Sequence, residues 1–230
     1  MSLPIVLITG QLLTAAVWQP LIDAWGDREV IVADNRSDDT IAGFAQRLLD
    51  SAPPKFVLVG HAMGGFIAFE VMRRAPGRVA KLALISTLAS ADGPAQTARR
   101  QGYIDLVESG NFDQVVEERI PILFPEDRRS DERLLGIARA MAADTGADTF
   151  LAQQRAIMAR IDSRPRLGEI AVPTLLVWGE KDGITSRAHH DEIVDAIPGA
   201  RIEVIAGVGH LPTVEAPELV VPLLTAFVDA

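Results

Sequence analysis

Apolar runs of strand length alternate with helical patterns along most of the chain. Ile5 to Thr9 is a mainly β-branched run that ends at Gly10, which predicts a buried strand. Further runs predict strands at 29–33, 56–59, 79–86, 174–178 and 201–205, and helical spacing of apolar residues recurs at 18–25, 41–51 and 64–74. Strands that are apolar on both faces and alternate with helices are typical of a parallel sheet covered on both sides. The pattern therefore predicts an α/β fold with a mostly parallel sheet of about six strands.

The stretch from 93 to 166 breaks this alternation. It has no convincing strand, and its helical patterns cover 94–108, 112–120, 131–143 and 148–161, with Asp131 as the expected N-cap of the third. An all-helical insertion between the fourth and fifth strands is expected to lie over the carboxyl ends of the strands, where open α/β folds bind ligands. We therefore predict a core of residues 1–92 and 167–230 and a helical cap, or lid, of residues 93–166. A helical layer that only completes the core is the plainer alternative.

Composition and charge narrow the class of partner. The 230 residues contain 31 acidic and 22 basic side chains, for a net charge of −9. Nucleic acids and anionic membranes attract clustered Lys and Arg, so we expect neither as a partner. Because there is no cysteine, disulfides and thiolate chemistry are excluded. The amino-terminal segment lacks a basic region followed by a long apolar run, so a cytoplasmic protein is expected.

The candidate partner is a small molecule. No metal-ligand cluster and no phosphate-binding glycine loop stands out, so we expect neither a metal nor another cofactor. The sequence does not indicate an oligomeric state.

The turn after the third predicted strand has the spacing of a nucleophile elbow, the sharp strand-to-helix turn that presents the catalytic serine of many hydrolases. It reads Gly60-His61-Ala62-Met63-Gly64-Gly65. Small residues two before and two after the central position are needed because the strand and helix backbones approach closely there. Ala62 occupies the place of the serine, and its methyl group cannot attack a carbonyl. The turn therefore has the features of a nucleophile site without the nucleophile.

Two later loops carry the residue types that activate a serine. Asp182 follows the fifth predicted strand, and His210 follows the last one. A serine hydroxyl is a poor nucleophile at neutral pH, so a histidine must take its proton and a carboxylate must orient that histidine. Of the other histidines, His61 lies in the elbow, and His189 and His190 lie in a predicted exposed helix. Only His210 has the loop setting expected of a base.

The order elbow, acid, histidine along the chain is that of the α/β-hydrolase superfamily, which the chain resembles over nearly its whole length. It is most similar to small bacterial members whose elbow reads Gly-His-Ser-Met-Gly-Gly. The resemblance extends to the helix at 66–76, to Asp162-Ser163-Arg164-Pro165, and to Gly209-His210-Leu211 followed by Glu215-Ala216-Pro217-Glu218. It implies the α/β-hydrolase fold with a nucleophile at position 62, an acid at Asp182 and a base at His210.

The resemblance also implies an oxyanion hole made by the backbone N–H groups of Met63 and Gln11. The chain departs from the usual pattern here, because it has Thr9-Gly10-Gln11 where many relatives have His-Gly after the first strand. Since the hole uses backbone donors, loss of the histidine side chain need not abolish it. The Gln11 amide is a further candidate contact to substrate, although a solvated or loop-bonded amide is the plainer interpretation.

Three explanations of Ala62 stay open. The favoured hypothesis is a deliberate replacement of serine that traps a substrate or product, because everything needed around the serine is retained. The parent enzyme is then a serine-type hydrolase of carboxylic esters or lactones that works through an acyl-enzyme, and this chain is nearly inactive. The second explanation is a natural non-catalytic homologue that binds or senses a ligand. The third is a serine-independent lyase or C–C bond enzyme that uses His210 as a base.

The walls of the expected pocket are predicted from apolar residues of the cap and of two loops. The candidates are Leu12, Ile122, Leu123, Phe124, Phe150, Ile157, Met158 and Leu211. Packing of each against the sheet is an equally good interpretation. Arg155, Arg160 and Arg164 are candidates for a substrate carboxylate, but arginines on helices more often lie on solvated faces. Asp34 and Glu70 are interpreted as residues that support a turn and a helix.

Overall fold

Six strands form one parallel sheet. The structure, a computed structural model, describes residues 2–230. The strands are β1 (Ile5–Ile8), β2 (Val30–Val32), β3 (Phe56–His61), β4 (Val79–Ile85), β5 (Thr174–Gly179) and β6 (Arg201–Ile205). Their order across the sheet is β2-β1-β3-β4-β5-β6, and each neighbouring pair is parallel. The predicted α/β fold is confirmed.

Burial differs between the centre and the edges of the sheet. Every residue of β1, β3 and β5 is buried, whereas β2 is half-buried and β6 has exposed positions. Alternate side chains enter two apolar layers, with Ile5 and Leu7 in one and Val6 and Ile8 in the other. The expectation of strands buried on both faces is therefore correct for the central strands only. An edge strand lacks a neighbour on one side and needs less cover.

Helices cover both faces of the sheet. They are α1 (Gln19–Trp25), α2 (Ile41–Ser51), α3 (Met63–Arg74), α4 (Pro94–Glu108), α5 (Phe112–Arg119), α6 (Glu132–Thr145), α7 (Ala147–Met158), α8 (Arg187–Ala196), α9 (Pro212–Glu215) and α10 (Pro217–Asp229). Apolar residues of α1 and α10 pack in the layer that contains Ile5 and Leu7. Those of α2, α3 and α8 pack in the layer that contains Val6 and Ile8.

The segment between β4 and β5 is helical, as the sequence predicts. Its first helix, α4, has the predicted bounds, and Asp131 caps α6 by accepting the N–H groups of Arg133 and Leu134. The helix predicted at 148–161 is too long, because α7 ends at Met158. The Arg160 N–H bonds three residues back, to Ile157, which tightens the last turn and ends the helix.

No helix within residues 2–230 combines the length and the apolar character that crossing a membrane requires.

Candidate active site

The elbow forms where β3 ends and α3 begins. Ala62 has a φ of +51°, a left-handed conformation that alanine rarely adopts. Two hydrogen bonds hold it there. Its N–H donates to the Ile85 carbonyl oxygen at 2.9 Å, and the Thr87 hydroxyl donates to the Ala62 carbonyl oxygen at 2.7 Å. These bonds therefore hold the backbone in the strained geometry that presents a side chain beyond the carboxyl ends of the strands.

The glycines beside Ala62 permit the close approach that the elbow needs. A Cβ on Gly60 would lie 2.6 Å from the Gly64 carbonyl oxygen, and a Cβ on Gly64 would overlap the carbonyl oxygen of Ile8. Because both obstacles are backbone atoms, neither can move aside. The predicted requirement for small residues at these positions is confirmed.

His210 and Asp182 lie together beyond the carboxyl ends of β6 and β5. The Nδ1 atom of His210 is 2.8 Å from Oδ2 of Asp182. The carboxylate also accepts the N–H groups of Ile184, at 2.8 Å, and Thr185, at 3.0 Å, and the Thr185 hydroxyl. Burial opposes ionisation of Asp182, but His210 and these donors together lower its pKa to about 2. Because the ionised carboxylate can only accept, Nδ1 of His210 carries the hydrogen, and in the neutral ring Nε2 keeps its lone pair.

Both sides of the His210 loop are anchored. The His210 N–H donates to the Leu123 carbonyl oxygen at 2.8 Å. The Glu215 carboxylate accepts the N–H groups of Gly209, at 2.9 Å, and Leu211, at 3.0 Å. The His210 carbonyl oxygen accepts from Nε2 of His61 at 2.8 Å. Burial lowers the pKa of His61 to about 3, so that ring is a neutral structural donor at physiological pH.

Two residues beside the same site have backbone N–H groups that, among the described residues, have no protein acceptor. Within residues 2–230, the N–H groups of Gln11 and Met63 donate to no carbonyl or side chain. Both residues border the cavity that Ala62 and His210 also border. They are the residues predicted to form the oxyanion hole, and free N–H groups are what such a hole requires.

The cavity has a volume of about 80 Å³ and opens to solvent. Its walls come from the elbow, the loops after β1 and β4, the helices between β4 and β5, and the two loops that carry Asp182 and His210. The bordering residues are Gln11, Leu13, Ala62, Met63, Phe66, Ser86, Thr87, Leu88, Arg100, Arg119, Leu123, Ile157, Ile184, Thr185 and His210. Its walls combine apolar and polar side chains, as small-molecule sites commonly do.

Most of the predicted apolar wall residues lie elsewhere. Leu123 and Ile157 border the cavity, but the other six predicted residues do not. Leu12, Phe124, Phe150 and Leu211 are buried in the apolar core, Met158 borders a groove on the outer surface, and Ile122 is half-buried in the turn after α5. The alternative of packing against the fold is correct for the four core residues.

Two further expectations, of an exposed His190 and a solvated Arg160, need correction. His190 is fully buried rather than exposed, since its Nδ1–H donates to the Ser186 carbonyl oxygen at 2.9 Å and its ring lies 5.6 Å from that of Trp178. Arg160 is buried against Asp92 rather than solvated. Arg155 and Arg164 form ion pairs on the surface, and none of these three arginines borders the cavity.

Arg100 and Arg119 border the cavity and are not predictable from the sequence. The only local signal is that both lie on the predicted helices between β4 and β5, where they resemble surface arginines. Within residues 2–230, no three His, Asp or Glu side chains converge as a metal site would require.

Comparison with known proteins identifies the family. A model described as the Alpha/beta hydrolase family matches residues 5–223. A protein of Azorhizobium caulinodans provisionally named a carbamate hydrolase is 29% identical over 97% of this chain and 90% of its own length. A pimeloyl-(acyl-carrier protein) methyl ester esterase of Photobacterium profundum is 26% identical over 97% of this chain and 94% of its own.

A solved structure is similar over the whole chain. The malate-bound thermophilic esterase from Thermogutta terrifontis has a TM-score of 0.88 and 26% identity, and the match covers 100% of this chain and 90% of the esterase. Hydrolases and esterases are thus among the proteins that this chain resembles in sequence and fold. The chain belongs to the alpha/beta hydrolase family.

Proposed function

We propose that the chain is the framework of a serine-type hydrolase of carboxylic esters or lactones, in which Ala62 occupies the nucleophile position. The observation that carries the proposal is the elbow: its strained backbone and close glycines present position 62 to the cavity that His210 borders. The His210–Asp182 pair, at 2.8 Å, supports the same interpretation. The esterase and methyl ester esterase among the relatives support an acyl substrate.

The mechanism follows from the roles that these groups can take. With a serine at position 62, Nε2 of His210 takes the hydroxyl proton as the oxygen bonds to the acyl carbon, and Asp182 stabilises the imidazolium. The N–H groups of Gln11 and Met63 receive the negative oxygen of the tetrahedral intermediate. His210 returns the proton to the leaving alkoxide, and a water activated by the same histidine then hydrolyses the acyl-enzyme.

With Ala62, the chain keeps the binding groups and lacks the attacking oxygen. Removal of the nucleophile from an enzyme with a Ser-His-Asp triad lowers kcat by about 10⁶-fold. We therefore infer that this chain binds its substrate with hardly any turnover. We further propose that residues 93–166 form a cap, because they contribute Arg100, Arg119, Leu123 and Ile157 to the cavity.

The test is to restore the oxygen. Ala62→Ser is assayed against p-nitrophenyl acetate, p-nitrophenyl butyrate and small lactones, with Ala62→Gly as an oxygen-free control at the same position. We expect Ala62→Ser to raise kcat/KM by roughly 10³- to 10⁶-fold, Ala62→Gly to stay at the level of the parent chain, and His210→Ala in the Ala62→Ser background to lose the gain. No gain across the panel would refute the proposal.

A second candidate function needs no serine. It is favoured by the intact, buried His210–Asp182 pair in a chain that has alanine at position 62. His210 would then act as a base on a bound substrate. Turnover by the parent chain at an enzymatic rate, abolished by His210→Ala, would establish this candidate, whereas tight binding without turnover in either form would indicate a receptor.

A further inference from the structure

Arg119 lies at the end of α5 with its guanidinium beside the elbow cavity. Its Nη2 donates to the Oε1 atom of Gln11 at 3.1 Å. The guanidinium carbon lies 5.1 Å from the ring centre of Tyr103 and 5.9 Å from that of Phe150. The Nε–H group is shielded from solvent and, within the described residues, has no acceptor. The charge is therefore positioned by packing and by one neutral amide.

No carboxylate neutralises Arg119. Across residues 2–230, no Asp or Glu oxygen lies within 4.0 Å of its guanidinium. The second arginine of the cavity, Arg100, is paired with Asp92 at 2.6 Å, but Asp92 also pairs with Arg160 at 2.7 Å. Arg100 and Arg160 thus share a single carboxylate and Arg119 has none, in a chain whose net charge is −9.

Arg119 keeps its charge in this setting. Burial and the neighbouring charge of Arg100 lower its pKa to about 10, which leaves it protonated at neutral pH. A partly desolvated guanidinium without a counter-ion is unfavourable, and a bound anion would relieve that cost. Guanidinium groups bind carboxylates well because two parallel N–H donors match the two oxygens.

We propose that the cavity takes esters or lactones that carry a second, free carboxylate, and that Arg119 binds this carboxylate. The proposal rests on the proposed function, since it places the scissile carbonyl at the N–H groups of Gln11 and Met63. Arg119 reaches the side chain of the same glutamine whose backbone N–H is the oxyanion donor. The carboxylate and the scissile carbonyl are therefore separated by about one glutamine side chain, which suits monoesters of short dicarboxylic acids.

Binding to the parent chain tests the carboxylate site without hydrolysis. Monomethyl succinate and dimethyl succinate are compared by isothermal titration calorimetry at low and high salt. We expect monomethyl succinate, which is a monoanion, to bind more tightly than uncharged dimethyl succinate. The difference in affinity between the two esters should fall as the salt concentration rises. Arg119→Gln should weaken binding of the monoanion by roughly 10- to 100-fold, and Arg119→Lys should retain part of the affinity.

Arg155→Gln is the matched control. Arg155 is an exposed arginine on α7 that pairs with Glu108 at 3.0 Å and lies outside the cavity. The Arg155→Gln variant should bind monomethyl succinate with the same affinity as the parent chain. Equal affinity of the parent chain for the two succinate esters would overturn the proposal even if Arg119→Gln failed to fold. An Arg119→Gln variant that folds and keeps the preference would also overturn it.

Hydrolysis in the Ala62→Ser background separates this proposal from the proposed function. The ratio of kcat/KM for monomethyl over dimethyl succinate should fall roughly 10- to 100-fold on Arg119→Gln, because any effect of Arg119 on the oxyanion hole cancels in the ratio. If both esters were hydrolysed and the ratio of their kcat/KM values did not change on Arg119→Gln, the carboxylate site would be overturned and the proposed hydrolase function would stand. If monomethyl succinate bound in a way that depends on Arg119 but neither ester were hydrolysed, the carboxylate site would stand and the proposed hydrolase function would be overturned.

Discussion

Glu215 holds the backbone on both sides of His210, and its replacement should loosen that loop. Its oxygens accept the N–H groups of Gly209 and Leu211 at 2.9 and 3.0 Å. The Glu215 side chain has no solvent exposure, so the two backbone N–H groups cannot form hydrogen bonds with water when their acceptor is lost. Glu215→Gln keeps the shape of the side chain and one oxygen, but it presents an NH₂ group to the other backbone N–H.

The expected loss of stability comes mainly from that one mismatched N–H group, because the ion pair of Glu215 with Arg128 that is also lost is long, at 3.7 Å. A hydrogen bond to a charged acceptor contributes roughly 1.5–3 kcal/mol, and a buried donor left without a partner costs roughly 1–3 kcal/mol. Burial raises the pKa of Glu215, so desolvation of the carboxylate offsets part of what the hydrogen bonds contribute. We therefore expect Glu215→Gln to lower the free energy of unfolding by about 2 kcal/mol.

Urea unfolding at pH 7, followed by far-UV circular dichroism, measures this loss as a shift of the midpoint at constant slope. Glu218→Gln is the matched control, because Glu218 is an exposed glutamate in the first turn of α10. An exposed substitution of this kind changes stability by less than about 0.5 kcal/mol. If Glu215→Gln shifted the midpoint no more than Glu218→Gln, the carboxylate would not hold the loop.

The remaining predictions concern the acid and the elbow. The pKa of Asp182 is about 2 in the folded chain against an ordinary 3.8, so the ionised carboxylate stabilises the fold above about pH 4, and this contribution is lost as the pH falls toward 2. Between pH 6 and pH 2 the free energy of unfolding of the parent chain, measured with urea, should fall by about 2 kcal/mol more than that of Asp182→Asn; parallel pH profiles would contradict this. Gly64→Ala forces a Cβ against the Ile8 carbonyl oxygen and should cost about 2 kcal/mol or more. Gly102→Ala lies in α4, where no atom outside the local helix backbone comes within 4 Å of the added Cβ, and it should be neutral or stabilising by up to about 1 kcal/mol. Equal melting temperatures for the two variants would argue against the close approach at Gly64.

The local pattern of the sequence is enough to predict the strands, the elbow and the meeting of Asp182 with His210. Their loops are far apart along the chain, but β5 and β6 are adjacent and parallel, so their carboxyl ends meet at one edge of the sheet. The bounds of α4 are predictable because Gly93 and Pro94 mark its start. These features depend on neighbours in sequence or on the general geometry of parallel sheets.

The walls of the cavity depend instead on contacts between distant residues. Phe124 lies in the loop after α5 and Phe150 lies on α7, and apolar residues in either setting look the same in sequence whether they border the core or a ligand. Arg119 resembles any arginine of a surface helix until Gln11 and Tyr103, which lie far from it or on another helix, are placed around it. A sequence pattern does not show which distant residues surround a side chain, so these wall residues could be identified only from the structure.

Covalent labelling of position 62 tests the central claim most directly. Diethyl p-nitrophenyl phosphate reacts with an activated serine: the serine oxygen bonds to phosphorus, p-nitrophenolate leaves, and His210 takes the hydroxyl proton. Intact-protein mass spectrometry with peptide mapping should find one diethylphosphoryl group at position 62 in Ala62→Ser, none on the parent chain, and none at the same exposure when His210→Ala is added. An unlabelled Ala62→Ser, or a label on another residue, would contradict the assignment of position 62 as the nucleophile position.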